Sequence, residues 1–195
     1  MNALALDPLA PNVFRFTCLD PAEADEVLHY IRTLSSWEAG PVRRGSRKAA
    51  TAIRDDVRLA WEIKESAAPT AFSVFAQRIR ARLFALVETL NVGRLEVSDL
   101  RLVRYDEGGF FKVHSDTTGD DRRRFAVVIY LNDDFGGGAT IFPLLGCRSV
   151  PEKGRGVVFP AERLHRGDVV SGGTKFILVA WLLHPQQDLA QMAAL

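Results

Sequence analysis

From about Leu95 onward the chain is cut into short apolar runs separated by turns rich in Gly, Asp and Pro, and that rhythm leaves few folds open. The runs occupy residues 100–105, Phe110–His114, 125–131, 139–142, 156–159 and 176–183. Each is too short for an ordinary helix and right for a strand, and strands at this spacing build a β-sandwich or barrel. Residues 125–131 and 177–183 are almost wholly apolar, as central strands covered on both faces must be.

The region before them reads differently. Asp20-Pro21-Ala22-Glu23 combines an N-cap acceptor, proline at the first helical position and Glu at N3, which together start a helix. Val27, Tyr30, Ile31, Leu34 and Trp37 follow at helical spacing. A second helix is expected from about residue 70 to 91, with Phe72, Phe75, Ile79, Leu83, Leu86 and Leu90 on one face. Between the helices, Val57, Leu59, Trp61 and Ile63 alternate with Arg58, Ala60, Glu62 and Lys64, and this period of two predicts a strand. The expected organisation is one domain over 1–195: a mainly helical support region (1–94), a β core (95–185) and a C-terminal tail (186–195).

The chemistry gathers in the β core. His114 and Asp116 close the run Phe110–His114; two residues apart on a strand, they would face one point inside the barrel. Imidazole with carboxylate suits a divalent first-row metal better than calcium or magnesium. Two ligands alone decide little, because a strand-end His hydrogen-bonded to Asp is the plainer account. His165, about fifty residues on and just past Val157-Val158-Phe159, supplies a third. Two histidines and a carboxylate leave three coordination positions open, as a non-haem Fe(II) oxygenase requires. Lys175 then opens the apolar stretch Phe176-Ile177-Leu178-Val179-Ala180-Trp181. A lysine there is costly without an anionic partner, and the distal carboxylate of 2-oxoglutarate would be one.

At these residues the chain resembles the prolyl 4-hydroxylase-like branch of the Fe(II)/2-oxoglutarate dioxygenases. The likeness runs over about 100–185: Arg104-Tyr105-Asp106-Glu107-Gly108-Gly109-Phe110-Phe111-Lys112-Val113-His114-Ser115-Asp116, then Tyr130-Leu131-Asn132, then Gly137-Gly138-Ala139-Thr140, then His165, Lys175 and Trp181. The resemblance implies an α+β, mainly β fold: a double-stranded β-helix, or jelly-roll, cupin-like barrel, braced by N-terminal helices. It implies His114, Asp116 and His165 as ligands of Fe(2+), and Lys175 as the partner of the 2-oxoglutarate C5 carboxylate. Tyr130 would hydrogen-bond that carboxylate, Tyr105 would lie near the cosubstrate, and Thr140 and Trp181 would line the pocket. The implied reaction consumes O2 and 2-oxoglutarate, releases succinate and CO2, and hydroxylates an aliphatic C–H bond, with L-ascorbate as a further requirement. The expected substrate is a prolyl residue of a peptide or protein. The alternatives are a free small-molecule metabolite, or a non-catalytic cupin-like metal-binding protein. An acid at Asp116 fits hydroxylation better than halogenation, and the absence of arginine between Phe176 and Leu183 argues against the nucleic-acid demethylase branch.

Composition narrows the partners. Twenty-five basic against twenty-four acidic residues offer no field for nucleic acid or an anionic membrane. The basic stretch around Arg43, Arg44 and Lys48, and Arg124 after the HxD strand, read ordinarily as solvated loops; the functional alternative is that they flank the site mouth and select substrate. His29 and His184 are read as packing or local hydrogen-bonding residues. Cys18 and Cys147 lack a CxxC spacing and leave at most one disulfide open. The N-terminus has no basic n-region, and no uncharged apolar run approaches a membrane span, so a cytoplasmic enzyme is expected.

Overall fold

The structure, a computed structural model, describes residues 4–43, 51–52, 54–117 and 122–186. In chain order its strands are β1 Leu6–Ala10, β2 Val13–Thr17, β3 Glu38–Ala39, β4 Val42–Arg43, β5 Thr51–Ala52, β6 Arg58–Leu59, β7 Trp61–Lys64, β8 Glu96–Val97 and β9 Arg101–Tyr105. There follow β10 Phe110–His114, β11 Arg123–Tyr130, β12 Gly136–Gly137, β13 Thr140–Phe142, β14 Cys147–Ser149, β15 Arg155–Pro160, β16 His165–Gly167, β17 Val170–Ser171 and β18 Lys175–Leu183. The two α-helices are α1 Pro21–Arg32 and α2 Phe72–Leu90.

The local signals act where the sequence places them. The Asp20 side chain accepts from the Glu23 N–H while the Glu23 carboxylate accepts from the Asp20 N–H, both at 2.9 Å, so a reciprocal capping box starts α1. Asn91 ends α2 in the left-handed conformation.

Two sheets face each other in a mainly β, double-stranded β-helix. The larger runs β1-β2-β15-β11-β18-β9-β7-β3, with β8 also on β18; the smaller runs β14-β13-β16-β10-β6. Period-two alternation divides the large sheet's side chains. Phe176, Leu178, Ala180 and Leu182 of β18 pack with Phe125, Val127 and Ile129 of β11 under both helices. Ile177, Trp181 and Leu183, with Ala126, Val128 and Tyr130, face the small sheet. Burial on both faces explains why β11 and β18 read as continuous apolar runs.

Two features depart from the expected organisation. Residues 6–17 form a hairpin that extends the large sheet through β15, so the first part of the chain contributes strands as well as helices. Pro8 is tolerated because β1 lies at the sheet edge, where no further ladder needs its missing N–H. The strand expected at 57–64 is two strands with a corner at Ala60: β6 pairs with β10 in the small sheet and β7 with β9 in the large one. Its facing is also unusual. Leu59 and Trp61 are 38% and 37% exposed, whereas Arg58 and Glu62 are 8% and 3% exposed. Cys18 and Cys147 are both free thiols, and burial pushes Cys18 up to about 12. Among the described residues no helix is long and apolar enough to cross a membrane.

Candidate active site between the two sheets

His114 ends β10 and His165 begins β16, and the antiparallel register sets them directly opposite each other. Their rings are 4.2 Å apart between centroids. Asp116 arrives differently from the strand alternation expected for it. The strand stops at His114, and Asp116 sits in the following turn, pinned by its N–H donating to the Ala161 carbonyl at 2.8 Å. The turn brings its carboxylate within 3.6 Å of His114 Nε2 and 3.9 Å of His165 Nε2. One ligand atom from each of the three lies within 4.8 Å of the others.

The second ring nitrogens are committed. Nδ1 of His114 faces the Lys112 carbonyl at 2.8 Å and Nδ1 of His165 the Arg163 carbonyl at 2.9 Å. A carbonyl accepts only, so each Nδ1 carries a proton and each Nε2 is the nitrogen left facing Asp116. Burial, then the neighbouring His165, lowers His114 to about 4, so the ring is neutral at ordinary pH. Phe111 stacks on His114 at 3.6 Å and Phe159 meets His165 edge-on at 4.5 Å. Trp181 Nε1 donates to Asp116 Oδ2 at 3.0 Å, which fixes the carboxylate's second oxygen. Two imidazoles and one oriented carboxylate are the donor set a divalent first-row metal takes.

The cavity holding this cluster measures about 360 Å³ and also reaches Lys175. Lys175 is 2% exposed, donates to the Gly138 carbonyl, and lies 5.1 Å and 5.5 Å from the Tyr105 and Tyr130 rings. Burial lowers it to about 7, only partly offset by Asp168. Gly138 has φ +65°, and a Cβ there would meet the Phe135 ring at 2.7 Å and Lys175 Cδ at 3.1 Å, so glycine keeps this acceptor close to the ammonium.

The remaining sequence expectations divide. Tyr105, opposite Lys175 in the β9–β18 register, lines the cavity, as do Thr140 and Trp181. Burial raises the Tyr105 phenol, against the pull of Arg58, so it stays a protonated donor. Tyr130 does not line the cavity; its phenol is hydrogen-bonded to the Thr140 hydroxyl at 2.8 Å and the Ser149 carbonyl at 3.1 Å, behind Thr140. Arg124 is exposed, with its guanidinium over Phe125, and is absent from the cavity wall. A register irregularity between Arg123 and Phe125 turns Arg123 inward instead, 3.7 Å over the Trp181 ring, with Nη1 donating to the Asp116 carbonyl at 2.9 Å. Of Arg43 only the backbone, in β4, is described, and Arg44 and Lys48 lie outside the described residues. Arg58, Glu62, Lys64 and Arg101 also stand on the wall, and the sequence expectations did not include them. For the first three the signal was present, as the charged side of the 57–64 alternation.

Residues 100–183 match the profile of the 2OG-Fe(II) oxygenase superfamily. A PKHD-type hydroxylase from Thermosynechococcus vestitus is 30% identical over 179 residues, covering 84% of this chain and 76% of its own. The chain belongs to the 2OG-Fe(II) oxygenase superfamily. Solved structures agree on the fold. A viral collagen prolyl hydroxylase from Paramecium Bursaria Chlorella virus-1, in complex with 2OG, matches with TM-score 0.65 at 20% identity, covering 88% of this chain and 95% of that one. A Trichoplax adhaerens prolyl hydroxylase in complex with a hypoxia inducible factor peptide fragment matches with TM-score 0.70 at 14% identity, covering 88% and 83%. As a superfamily member this oxygenase is a 2-oxoglutarate-dependent dioxygenase using Fe(2+), 2-oxoglutarate and O2.

Proposed function

We propose that the chain hydroxylates an aliphatic C–H bond of a prolyl residue in a peptide or protein, with iron held by His114, Asp116 and His165 and 2-oxoglutarate anchored by Lys175. One observation carries this reading: a three-residue metal donor set and a buried, anion-seeking lysine share one cavity. A purely structural metal site has no need of that lysine, which disfavours the non-catalytic alternative. The prolyl substrate is supported by the names of the similar proteins, and the free-metabolite reading keeps the same chemistry.

Bound iron would supply the redox chemistry that couples oxidative decarboxylation of the cosubstrate to C–H hydroxylation. The chain's own residues position and shield. His114 and His165 keep Nδ1 on backbone carbonyls and turn Nε2 to the cluster, and Trp181 holds one oxygen of Asp116. Lys175 receives the C5 carboxylate, with Thr140 beside it and Tyr130 acting only through Thr140. Phe111, Phe142 and Phe159 pack around the histidines and limit water. Ascorbate dependence is part of the same reading and is checked by turnover with and without it.

The first test is an anaerobic titration of the Fe(II)-loaded protein with 2-oxoglutarate, following the weak visible charge-transfer band of the chelate. A saturable band supports the reading; iron fully bound with no band overturns it.

A pH dependence follows from Lys175. Its ammonium titrates near 7 in the free protein, and a carboxylate partner favours the charged form, so cosubstrate binding takes up a proton above neutrality. The 2-oxoglutarate affinity is expected to fall by up to about tenfold per pH unit above 7, and Lys175→Arg is expected to flatten the slope. A dissociation constant unchanged between pH 7 and 9 would falsify this.

Trp181→Phe removes the donor to Asp116 Oδ2 and keeps an aromatic ring in place. Metal affinity is expected to fall by roughly 10–100-fold, as for other groups that orient a ligand, with 2-oxoglutarate affinity at saturating metal far less changed. Competitive titration against a metal-binding dye reads the first quantity directly.

A further inference from the structure

The corner strand pair β6–β7 turns its charged side to the cavity, while Ile63 on its apolar side is buried in the core under the helices. Its apolar residues Leu59 and Trp61 are partly given to solvent, and its charged residues Arg58, Glu62 and Lys64 line the cavity. Glu62, 3% exposed, accepts from Arg58 Nη1 at 3.0 Å and from Arg101 Nη1 at 2.9 Å. Two guanidiniums on one carboxylate leave positive charge uncompensated in a shielded place, which costs free energy unless an anion completes it. Arg58 is 8% exposed; besides Glu62, its Nη1 donates to the Pro41 carbonyl at 3.3 Å and the Tyr105 phenol stands beside its guanidinium. Its guanidinium lies 5.0 Å over the Phe111 ring, which in turn stacks on His114, so it stands beside the metal cluster.

The charge on the whole wall points the same way. Among the described residues, Arg58, Lys64, Arg101 and Lys175 stand on the wall with Glu62 and Asp116. A divalent metal and the 2-oxoglutarate dianion cancel each other's charge, so their arrival leaves the cationic excess in place. Lys175 is engaged by the cosubstrate, and Lys64 pairs in register with Arg101 at the rim. What remains is a guanidinium wall around the space left for the primary substrate. A cavity of about 360 Å³ is near the lower end of ligand pockets, so that substrate inserts a small group rather than a long segment.

We propose that Arg58, with Arg101 across Glu62, binds a carboxylate of the primary substrate and makes the enzyme selective for carboxylate-bearing substrates. This rests on the dioxygenase reading above and adds the substrate's chemistry to it. The carboxylate belongs either to a free amino acid or to an acidic side chain beside the reacting residue of a peptide. The recognition chemistry is the same in both.

The test needs no turnover. Protein loaded with Mn(II) and saturating 2-oxoglutarate, which fills the Lys175 end, is titrated calorimetrically with matched acid and amide ligands. One pair is N-acetyl-L-proline and N-acetyl-L-prolinamide; the other is a capped Glu-Pro-Gly tripeptide and its Gln-Pro-Gly counterpart. The acid is expected to bind about tenfold or more tightly than its neutral partner in one pair, and which pair shows it identifies the source of the carboxylate. Arg58→Gln is expected to erase the preference, Arg58→Lys to restore part of it, and Glu62→Gln, which releases both guanidiniums, to strengthen it. Acids that bind no better than amides in either pair overturn the inference, as does a preference that survives Arg58→Gln. The Fe(II)·2-oxoglutarate band, recorded separately on Fe(II)-loaded samples of the same proteins, separates the failures: with the band present only the carboxylate pocket is lost, and with it absent the dioxygenase reading fails first.

Discussion

Lys175→Met is expected to make the protein more stable while abolishing its affinity for 2-oxoglutarate. The wild-type ammonium is 2% exposed, and burial holds it near 7 against an unfolded value of 10.5. Its folded pKa is depressed, so between 7 and 10.5 the unfolded chain binds more protons and stability rises with pH; below 7 the full cost of charging a buried amine is present. That cost is on the order of 3–5 kcal/mol at about 1.4 kcal/mol per pKa unit, less about 1 kcal/mol for the hydrogen bond to Gly138 that the variant also loses. Methionine has nearly the same length and no charge, so the apoprotein is expected to melt roughly 5–12 °C higher at about pH 6. The gain should shrink steadily as the solution is made more alkaline. A gain that ignores pH, or no gain at all, would show that Lys175 is compensated by something other than the cavity. The same variant is expected to keep its metal, because Lys175 touches none of the three donors.

Asp116→Ala is expected to do the reverse: metal binding falls by more than about two orders of magnitude, beyond the effect of losing an orienting group, and turnover falls with it. The fold should survive. The turn is held by the 116 N–H on Ala161 and by Arg123 on the 116 carbonyl, both backbone contacts that alanine keeps. Circular dichroism near wild type, together with lost metal retention on gel filtration, is the expected pattern. A variant that retains metal would transfer the carboxylate role elsewhere. Together the two variants cut the site into its halves, since one loses cosubstrate and keeps metal and the other loses metal first.

Much of this architecture is legible in the amino-acid sequence. The capping box at Asp20–Glu23, the αL stop at Asn91 and the apolar runs of β11 and β18 are local signals, and local structure obeys them. His114, His165 and Lys175 are readable because few residue types do their chemistry and their order along the chain is distinctive. Harder are the elements whose meaning depends on what packs against them. The hairpin at 6–17 carries prolines that argue against a strand until it is known to lie at a sheet edge.

Facing is the part that residue order leaves open. Alternation in 57–64 announces a strand but not what each side meets, and here the charged side meets a polar cavity while Leu59 and Trp61 stay partly exposed. A register irregularity puts Arg123 rather than Arg124 on the wall, and a turn rather than a strand aims Asp116. Tyr130 of the large sheet spends its phenol on Thr140 and Ser149 of the small sheet rather than on the cavity. The amino-acid sequence by itself determined the elements and the reactive side chains, since both follow from residue type and spacing along the chain. Only the tertiary structure decided which of those side chains meet, because that depends on register between strands far apart in sequence, where one residue of slip exchanges the inside of the barrel for the outside.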